Sequence, residues 1–221
     1  MTEEEFIKAY PRAFHMAEDG SWDSIQKHGL LSTSALLDLY EMQGDERVKI
    51  ESERRSQSIR VSRPGLPDAV IRDNKPMTVS ALGKCLTGGV TPTQWFETLN
   101  SRVFFWLSKK RLEGLLGARA YRDRPQTIIE LDTASLVKAT RDLIQLSAIN
   151  SGSTIYRPVP RGKDTFQTIE AYPFEKWLAK RARANAVVEL TVLGGVKDIM
   201  NHVTRVDQCK GGKWKSIWRK V

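Results

Sequence analysis

The clearest strand in the sequence is AVVELTVL, residues 186–193, which consists almost entirely of aliphatic and β-branched residues. Side chains alternate along a strand, so Leu190 and Val192 share one face while Glu189 lies on the other. The pair Gly194-Gly195 ends the run. A carboxylate at such a position is usually a solvent-facing residue, yet a rigid strand also holds a catalytic carboxylate with little slack. The rest of the chain decides between these two interpretations of Glu189.

Shorter β-forming runs and amphipathic stretches precede this strand. Further strands are predicted at residues 69–73, 102–107 and 127–131, and a short helix or turn running into a strand at 6–14. Helices are predicted at residues 21–28, 32–42, 79–86, 91–99, 109–119, 132–137 and 174–183. Because strands and helices mix irregularly and no internal repeat is visible, the sequence predicts an α+β domain rather than a βαβ array.

Length and composition narrow the class of protein. The chain has 221 residues, with 35 Lys+Arg against 26 Asp+Glu and a net charge of +9. This length suits a single domain, residues 1–221, and a hydrophobic fraction of 40% argues against disorder as the overall state. Two distant cysteines, Cys85 and Cys209, argue against a disulfide scaffold or a Cys-ligated zinc site. The acidic start and the lack of an apolar run near ~18 residues predict a cytoplasmic protein with no membrane partner.

Three polar segments stand apart from the predicted elements. Residues 44–67 mix arginines with acids and serines, which predicts a charged insertion that is mobile or ordered by a partner. Residues 149–168 are rich in Ser, Gly, Pro and Arg and are predicted to form a long functional loop or an irregular hairpin. Residues 209–221 form a basic tail in which Trp214 and Trp218 lie among lysines and arginines.

The common catalytic signatures are missing from the sequence, which contains no GxSxG, GxGxxG, Walker lysine loop or HExxH motif. The three histidines are therefore weighed one at a time. His28 ends a predicted helix before Gly29, where the helix dipole favours a cation. His202 is interpreted as an ordinary surface or core residue. His15 lies in a strand-like segment between apolar residues, and its surroundings carry more information.

Four short segments together resemble one enzyme family. They are Phe14-His15-Met16-Ala17, His28-Gly29-Leu30-Leu31, the aromatic run RVFFWLS at residues 102–108, and the strand at 186–192. Their order and spacing resemble the ADP-ribosyltransferases of the DarT type, in which a strand with a histidine is followed by a helix ending in His-Gly-Leu-Leu. The aromatic run is similar to that family's second strand, and the last segment to the strand that carries its catalytic glutamate. The matches cover roughly a fifth of the chain but span almost its whole length.

The resemblance implies a fold and a reaction. The fold would be the ADP-ribosyltransferase-like split antiparallel β-sandwich with flanking helices, and the co-substrate would be NAD, with no metal. Glu189 and His15 would be the catalytic residues, with His15 bonding a ribose hydroxyl. The chemistry asks for such a carboxylate, because cleaving NAD builds positive charge on the ribose, as in glycoside hydrolysis. Glu130 and Glu170 are competing acids, but Glu130 comes earlier in the chain than the family places its catalytic glutamate.

The same resemblance implies a set of NAD-binding residues. Aromatic side chains would stack on nicotinamide, hydroxyl groups would bind the adenosine or phosphate oxygens, and a cation would pair with phosphate. This set comprises His15, Ser32, Thr33, Phe104, Phe105, Trp106, Ser108 and Arg111. The identity of the cation stays open, because the family's arginine near the second strand has several counterparts here, namely Lys109, Lys110, Arg111, Arg72 and Arg102. A strand this apolar is usually core, so at least one of the three aromatics is expected to be buried.

The acceptor of the ADP-ribose is expected to be a nucleic acid, DNA or RNA, because the family modifies bases and the chain is basic. Arg157, Arg161 and Lys163, in the loop before the predicted catalytic strand, would contact it. By analogy with the family, the protein would be a toxin or anti-phage effector controlled by an antitoxin protein or an ADP-ribose hydrolase. The alternatives are a protein-directed transferase, an NAD glycohydrolase, and a non-catalytic nucleic-acid-binding protein.

Overall fold

The computed structural model describes residues 1–155 and 158–220. The strands of this part of the chain are β1 Arg12–Glu18, β2 Leu30–Leu31, β3 Ile59–Val61, β4 Ala69–Ile71, β5 Arg102–Trp106, β6 Gln126–Asp132, β7 Ile144–Ser147, β8 Glu189–Leu193, β9 Gly195–Val196, β10 Val203–Lys210 and β11 Lys213–Arg219. The helices are α1 Glu3–Ala9, α2 Trp22–His28, α3 Thr33–Leu39, α4 Gly44–Ser52, α5 Val79–Gly83, α6 Pro92–Asn100, α7 Lys109–Leu116, α8 Thr133–Thr140, α9 Phe174–Leu178 and α10 Arg183–Ala186. This content confirms the predicted α+β class.

A seven-stranded sheet dominates the described residues, in the order β11-β10-β6-β1-β5-β8-β7. All of its neighbouring strands pair in the antiparallel sense. Two small antiparallel pairs, β2 with β9 and β3 with β4, lie outside it. Between the described residues of β1 and β5 there is one register pair, whereas β1 and β6 pair at seven positions. The sheet is therefore weakly joined at its centre, between β1 and β5.

Local sequence signals begin several of the helices. Thr91 accepts a hydrogen bond from the backbone N–H of Gln94 while the Gln94 side chain bonds back, which is a capping box in front of Pro92. Asp132 caps α8 in the same manner through the N–H of Ser135. Both caps lie at the starts of helices that the sequence predicts, at 91–99 and 132–137.

Gly29 ends α2 with a positive φ of 84°. It also lies against the chain beside β9, because a Cβ built on it would come within 2.6 Å of the Cα of Lys197. A side chain at position 29 would separate β2 from β9. The glycine of the His-Gly-Leu-Leu segment thus has a structural requirement of its own.

The two faces of the sheet carry different hydrophobic clusters. Val103, Phe105 and Leu190 belong to the main core, with α1, α2 and α8 contributing to it. The opposite face carries two clusters, one with Trp95 and Phe166 and one with Phe14 and Leu112. Residues of one strand therefore alternate between cores: Phe14 and Trp106 lie on the second face, whereas His15 contacts Phe105 of the main core.

The segment 44–67, whose composition predicts a charged insertion that is mobile or ordered by a partner, contains regular secondary structure. Residues 44–52 form α4, and residues 59–61 form β3, which pairs with β4. Ile50 and Val61 are both 2% exposed and pack in a separate hydrophobic cluster with Leu37 and Ile71. The charged residues occupy the outside of a folded unit, as Arg47 does in its ion pairs with Asp38 and Glu51.

The basic tail is also regular structure, since residues 213–219 are the edge strand β11 of the main sheet. The predicted helix at 174–183 is divided into α9 and α10. Within the described part of the chain, no helix is long and apolar enough to cross a membrane.

Candidate functional site

Three neighbouring strands carry the residues that the sequence singles out. β1 carries His15, β8 begins with Glu189, and β5 lies between them. In register, Phe14 of β1 lies opposite Trp106 of β5, and Trp106 lies opposite Glu189 of β8. Positions 14, 106 and 189 are far apart in sequence, and the strand order brings them into one row, with His15 next to Phe14.

His15 bridges the weak junction between β1 and β5. Its Nδ1 lies 2.9 Å from the carbonyl oxygen of Phe104, and its ring lies 5.7 Å from that of Phe105. Because a carbonyl oxygen accepts and cannot donate, Nδ1 carries the hydrogen and Nε2 is left as an acceptor. Burial lowers the pKa of His15 from 6.5 to about 4, with the charge of Arg72 acting in the same direction. The imidazole is therefore neutral at physiological pH and can accept a hydrogen bond from a hydroxyl group.

Glu189 is a buried carboxylate that is only 4% exposed. The backbone N–H of Ser151 lies 3.2 Å from each of its oxygens, and the Ser151 hydroxyl donates to Oε2 at 2.7 Å. Burial raises the pKa of Glu189 from 4.5 to about 7, although the Ser151 bonds and the charges of Arg161 and Arg111 oppose the rise. The group consequently exchanges a proton near neutral pH, as a general acid or base requires.

Arg161, which the sequence predicts to contact the nucleic-acid acceptor, is buried at 2% exposed and bonds to the backbone around the site. Its Nη1 donates to the carbonyl of Ser151 at 2.8 Å, and its Nε donates to that of Val159 at 3.1 Å. In this conformation Arg161 fixes the backbone that holds Glu189 and has no surface for a nucleic acid. The prediction of an acceptor contact therefore needs a different conformation of this loop.

Arg111 lies on α7, directly after the aromatic strand. Its Nη2 donates to the side-chain oxygen of Asn185 at 2.9 Å, and its charge acts on Glu189. Burial lowers the pKa of Arg111, and the nearby charge of Arg181 lowers it further. Among the cations that the sequence leaves open, Arg111 is thus close enough to Glu189 to influence it, whereas Arg102 lies at the far end of β5.

The three aromatic residues of β5 divide between the two faces. Phe105 is 1% exposed in the main core, which leaves no surface for a ligand. Phe104 and Trp106 are partly buried on the other face. Trp106 packs beside Phe14, and Phe104 meets the edge of Phe166 at 6.3 Å. Trp106, directly opposite Glu189, is the aromatic residue best placed for a flat ligand.

The predicted hydroxyl ligands lie at helix starts. Ser32 is buried and its Oγ accepts from the N–H of Ala35, so it caps α3. Thr33 is partly buried in the first turn of that helix. Ser108 is the residue before α7 and makes no side-chain capping bond, which leaves its hydroxyl unoccupied by that helix. Ser32 therefore has a structural role as a helix cap, and Thr33 and Ser108 remain candidates for binding NAD.

The remaining acceptor residues are not brought to Glu189. Arg157 lies outside the described residues. Lys163 is exposed and lines a groove of about 540 Å³ with Arg102, Gln145 and Phe166. In this groove the guanidinium carbon of Arg102 lies over the Phe166 ring, 4.3 Å from its centroid. Because Arg102 and Trp106 stand at opposite ends of β5, the groove is separate from the Glu189 site.

Ser151 is the site residue that sequence reasoning missed. Its segment, Asn150-Ser151-Gly152, has the composition of an ordinary turn, and no pattern connects it to a strand that begins 38 residues later. Only the pairing of β7 with β8, which sets Ser147 opposite Glu189, brings the turn over the carboxylate. Among residues 1–155 and 158–220, no cluster of three or more His, Cys, Asp or Glu side chains is arranged to hold a metal ion.

Comparison with known proteins gives one match. Residues 11–203 match the family described as "Family of unknown function (DUF7002)". A search of curated proteins and a search of solved structures each found no match. The match covers β1 to the start of β10, and thus every strand that carries a residue of the candidate site.

Proposed function

Because the chain belongs to the DUF7002 family, whose function is unknown, we propose its activity from the site itself: an NAD-dependent mono-ADP-ribosyltransferase. The observation that carries the proposal is the register Phe14–Trp106–Glu189 across three adjacent strands. It sets an aromatic ring beside a carboxylate, and the neutral imidazole of His15, next to Phe14 in β1, bonds the carbonyl of Phe104 at the same junction. The same junction supports the finer proposal that the seven-stranded sheet is of the split ADP-ribosyltransferase type.

The reaction breaks the bond between C1′ of the ribose and the nicotinamide nitrogen, and the bonding electrons leave with nicotinamide. The ribose ring then carries positive charge in an oxocarbenium-like transition state. As a carboxylate, Glu189 accepts a hydrogen bond from a ribose hydroxyl and stabilises that charge. Nε2 of His15, the ring nitrogen that does not bond to Phe104, accepts a hydrogen bond from another ribose hydroxyl.

The other residues supply binding and proton transfer. Trp106 offers a flat surface to nicotinamide, and Arg111 a positive charge to the phosphates of NAD. The acceptor forms a new bond to C1′ and must lose a proton. Glu189, whose pKa is raised by burial to about 7, is suited to receive it.

A nucleic acid is the proposed acceptor, and the basic edge of the sheet supports it. Lys210, Lys213 and Lys215 lie on the β10–β11 hairpin, where Lys109 stands over the Trp214 ring at 5.4 Å. Cations beside a partly exposed indole suit a backbone with unpaired bases. Such an enzyme would act in the cytoplasm as a toxin or anti-phage effector and would need an antitoxin protein or an ADP-ribose hydrolase.

The test is incubation with labelled NAD and separate pools of DNA, RNA and protein. We expect nicotinamide release and label in a nucleic-acid pool, and a loss of both of about 100-fold or more in Glu189→Gln. The matched control is Glu130→Gln, which alters a partly exposed carboxylate on β6 that pairs with Arg12. If no pool is labelled and no nicotinamide appears, the proposal is wrong. If Glu130→Gln abolishes activity and Glu189→Gln does not, the catalytic residue is wrong.

A further inference from the structure

Glu189 is closed to any substrate in this conformation. The two oxygens of its carboxylate face Ser151, and the side chain is 4% exposed. The Ser151 hydroxyl makes the shortest of these contacts, 2.7 Å to Oε2. A carboxylate that stabilises a ribosyl transition state has to accept a hydrogen bond from a hydroxyl group of the substrate. In this conformation Oε2 accepts that kind of bond from a hydroxyl group of the chain itself, and burial keeps a substrate hydroxyl away from the carboxylate.

The turn that carries Ser151 is anchored to a different part of the chain. Arg161 donates to the Ser151 carbonyl, and the Arg161 backbone bonds to Cys85 and Thr87 at 2.9 and 2.8 Å. The N–H of Thr154 donates to the carbonyl of Pro76 at 2.9 Å. These anchors lie on the segment between β4 and α6, outside the seven-stranded sheet. The Ser151 turn is thus held from outside the sheet, whereas Glu189 belongs to the sheet.

We propose that Ser151 is an internal stand-in for a substrate hydroxyl: its hydroxyl occupies the place on Glu189 that a ribose hydroxyl of NAD takes, and the contact is autoinhibitory. The inference rests on the proposed function for the identity of the displaced hydroxyl. It predicts that the binding-competent form is the minor one, so that the observed affinity for NAD is reduced by the fraction of open molecules.

A positioning role for Ser151 would have opposite consequences. If Ser151 held Glu189 in its working rotamer, loss of the hydroxyl would lower kcat and leave KM unchanged. If Ser151 competes with substrate, loss of the hydroxyl lowers KM and raises kcat/KM. The burial of the carboxylate favours competition, because a bond that only positioned Glu189 would leave the carboxylate accessible to substrate.

The experiment compares Ser151→Ala with Ser153→Ala. Ser153 lies on the same turn, and its hydroxyl accepts only from the N–H of Ile155 at 3.3 Å among the described contacts. Two quantities are measured: hydrogen exchange of the backbone amide at position 151, and the affinity for a non-cleavable NAD analogue. A hydrogen bond to a charged group is worth enough for about a tenfold change in each. We expect about tenfold faster exchange and about tenfold tighter binding in Ser151→Ala, and neither change in Ser153→Ala.

Each other outcome has a distinct meaning. Unchanged exchange in Ser151→Ala overturns the inference, because the hydroxyl then does not keep the site closed. Faster exchange with unchanged affinity also overturns it, because nothing is then displaced. Faster exchange in a protein that binds no analogue in any form overturns the proposed function, and with it the identity of the displaced hydroxyl, while the closure itself stands.

Discussion

Replacing Glu189 by glutamine should change how the stability of the protein depends on pH. Burial raises the pKa of Glu189 from 4.5 to about 7 in the folded state. A folded-state pKa above the unfolded value means that the folded protein binds the proton more tightly. The contribution of Glu189 to stability is therefore fully present below pH 4.5 and is lost as the pH rises through 7.

The expected magnitude follows from these two values. At about 1.36 kcal/mol per pH unit, the difference between 4.5 and about 7 corresponds to about 3 kcal/mol. Glutamine stays neutral at every pH, so Glu189→Gln removes this loss. Its amide can accept the Ser151 bonds but adds a buried donor, which shifts the stability of the variant by a constant amount. The informative quantity is thus the gap, meaning the difference in free energy of unfolding between the variant and the unaltered protein, and how this gap changes with pH.

The assay is urea unfolding of both proteins at intervals from pH 4.5 to 8.5. We expect the gap to move in favour of Glu189→Gln by about 3 kcal/mol, with most of the change between pH 5 and 7. Glu130→Gln is the control, because its carboxylate is partly exposed in a surface ion pair, and we expect its gap to move by less than about 1 kcal/mol. If the gap for Glu189→Gln stays constant, or changes in favour of the unaltered protein as the pH rises, the carboxylate is not buried in the way described.

Three further predictions concern the rest of the molecule. His15, whose pKa burial lowers to about 4, should keep its ring nitrogens in the neutral Nδ1–H form from pH 8 to 5 in ¹H–¹⁵N spectra; a titration midpoint above 6 would contradict its burial, because the bond to the Phe104 carbonyl by itself raises the pKa. Ile50→Ala should lower the free energy of unfolding by about 3 kcal/mol, because it removes a buried side chain. The control Val48→Ala, at a position that is 57% exposed, should lower this free energy by less than about 0.5 kcal/mol. Equal small effects would mean that residues 44–67 do not fold as described. Replacing Lys213 and Lys215 together by alanine should reduce the slope of log affinity against log salt for a single-stranded oligonucleotide by about one to two, and an unchanged slope would remove the hairpin from the interface.

The elements with local signals could be predicted from the sequence. Thr91-Pro92 predicts the start of α6, and the run at 102–107 predicts β5, because caps and β-branched or aromatic runs act within a few residues. The alternation in residues 186–193 also predicts that Glu189 and Leu190 face opposite sides. Where local preference and tertiary packing agree, the sequence is sufficient.

The features that could not be predicted from the sequence depend on contacts between distant segments. The composition of residues 44–67 predicts a segment that is mobile or ordered by a partner. In the structure, Ile50 of α4 and Val61 of β3 pack in a small core with Leu37 and Ile71. β7 has only four residues, and its identity as a strand comes from β8 beside it. Ser151 has no local signal at all, because its partner lies 38 residues away. Strand patterns could therefore single out Glu189 and His15 as candidates, whereas the contact between Ser151 and Glu189 could not be predicted from the sequence.

The closure of the site and the charge of Glu189 are expected to be one event. The raised pKa of Glu189 has burial as its largest cause, and burial comes from the turn of Ser151 above it. In the proposed reaction, a ribose hydroxyl replaces the Ser151 bonds that lower the pKa of Glu189, and the positive charge that develops on the ribose lowers this pKa further. Glu189 then carries negative charge when positive charge develops on the ribose. In the closed form it is about half protonated at neutral pH, which reduces the cost of keeping it buried while no substrate is bound.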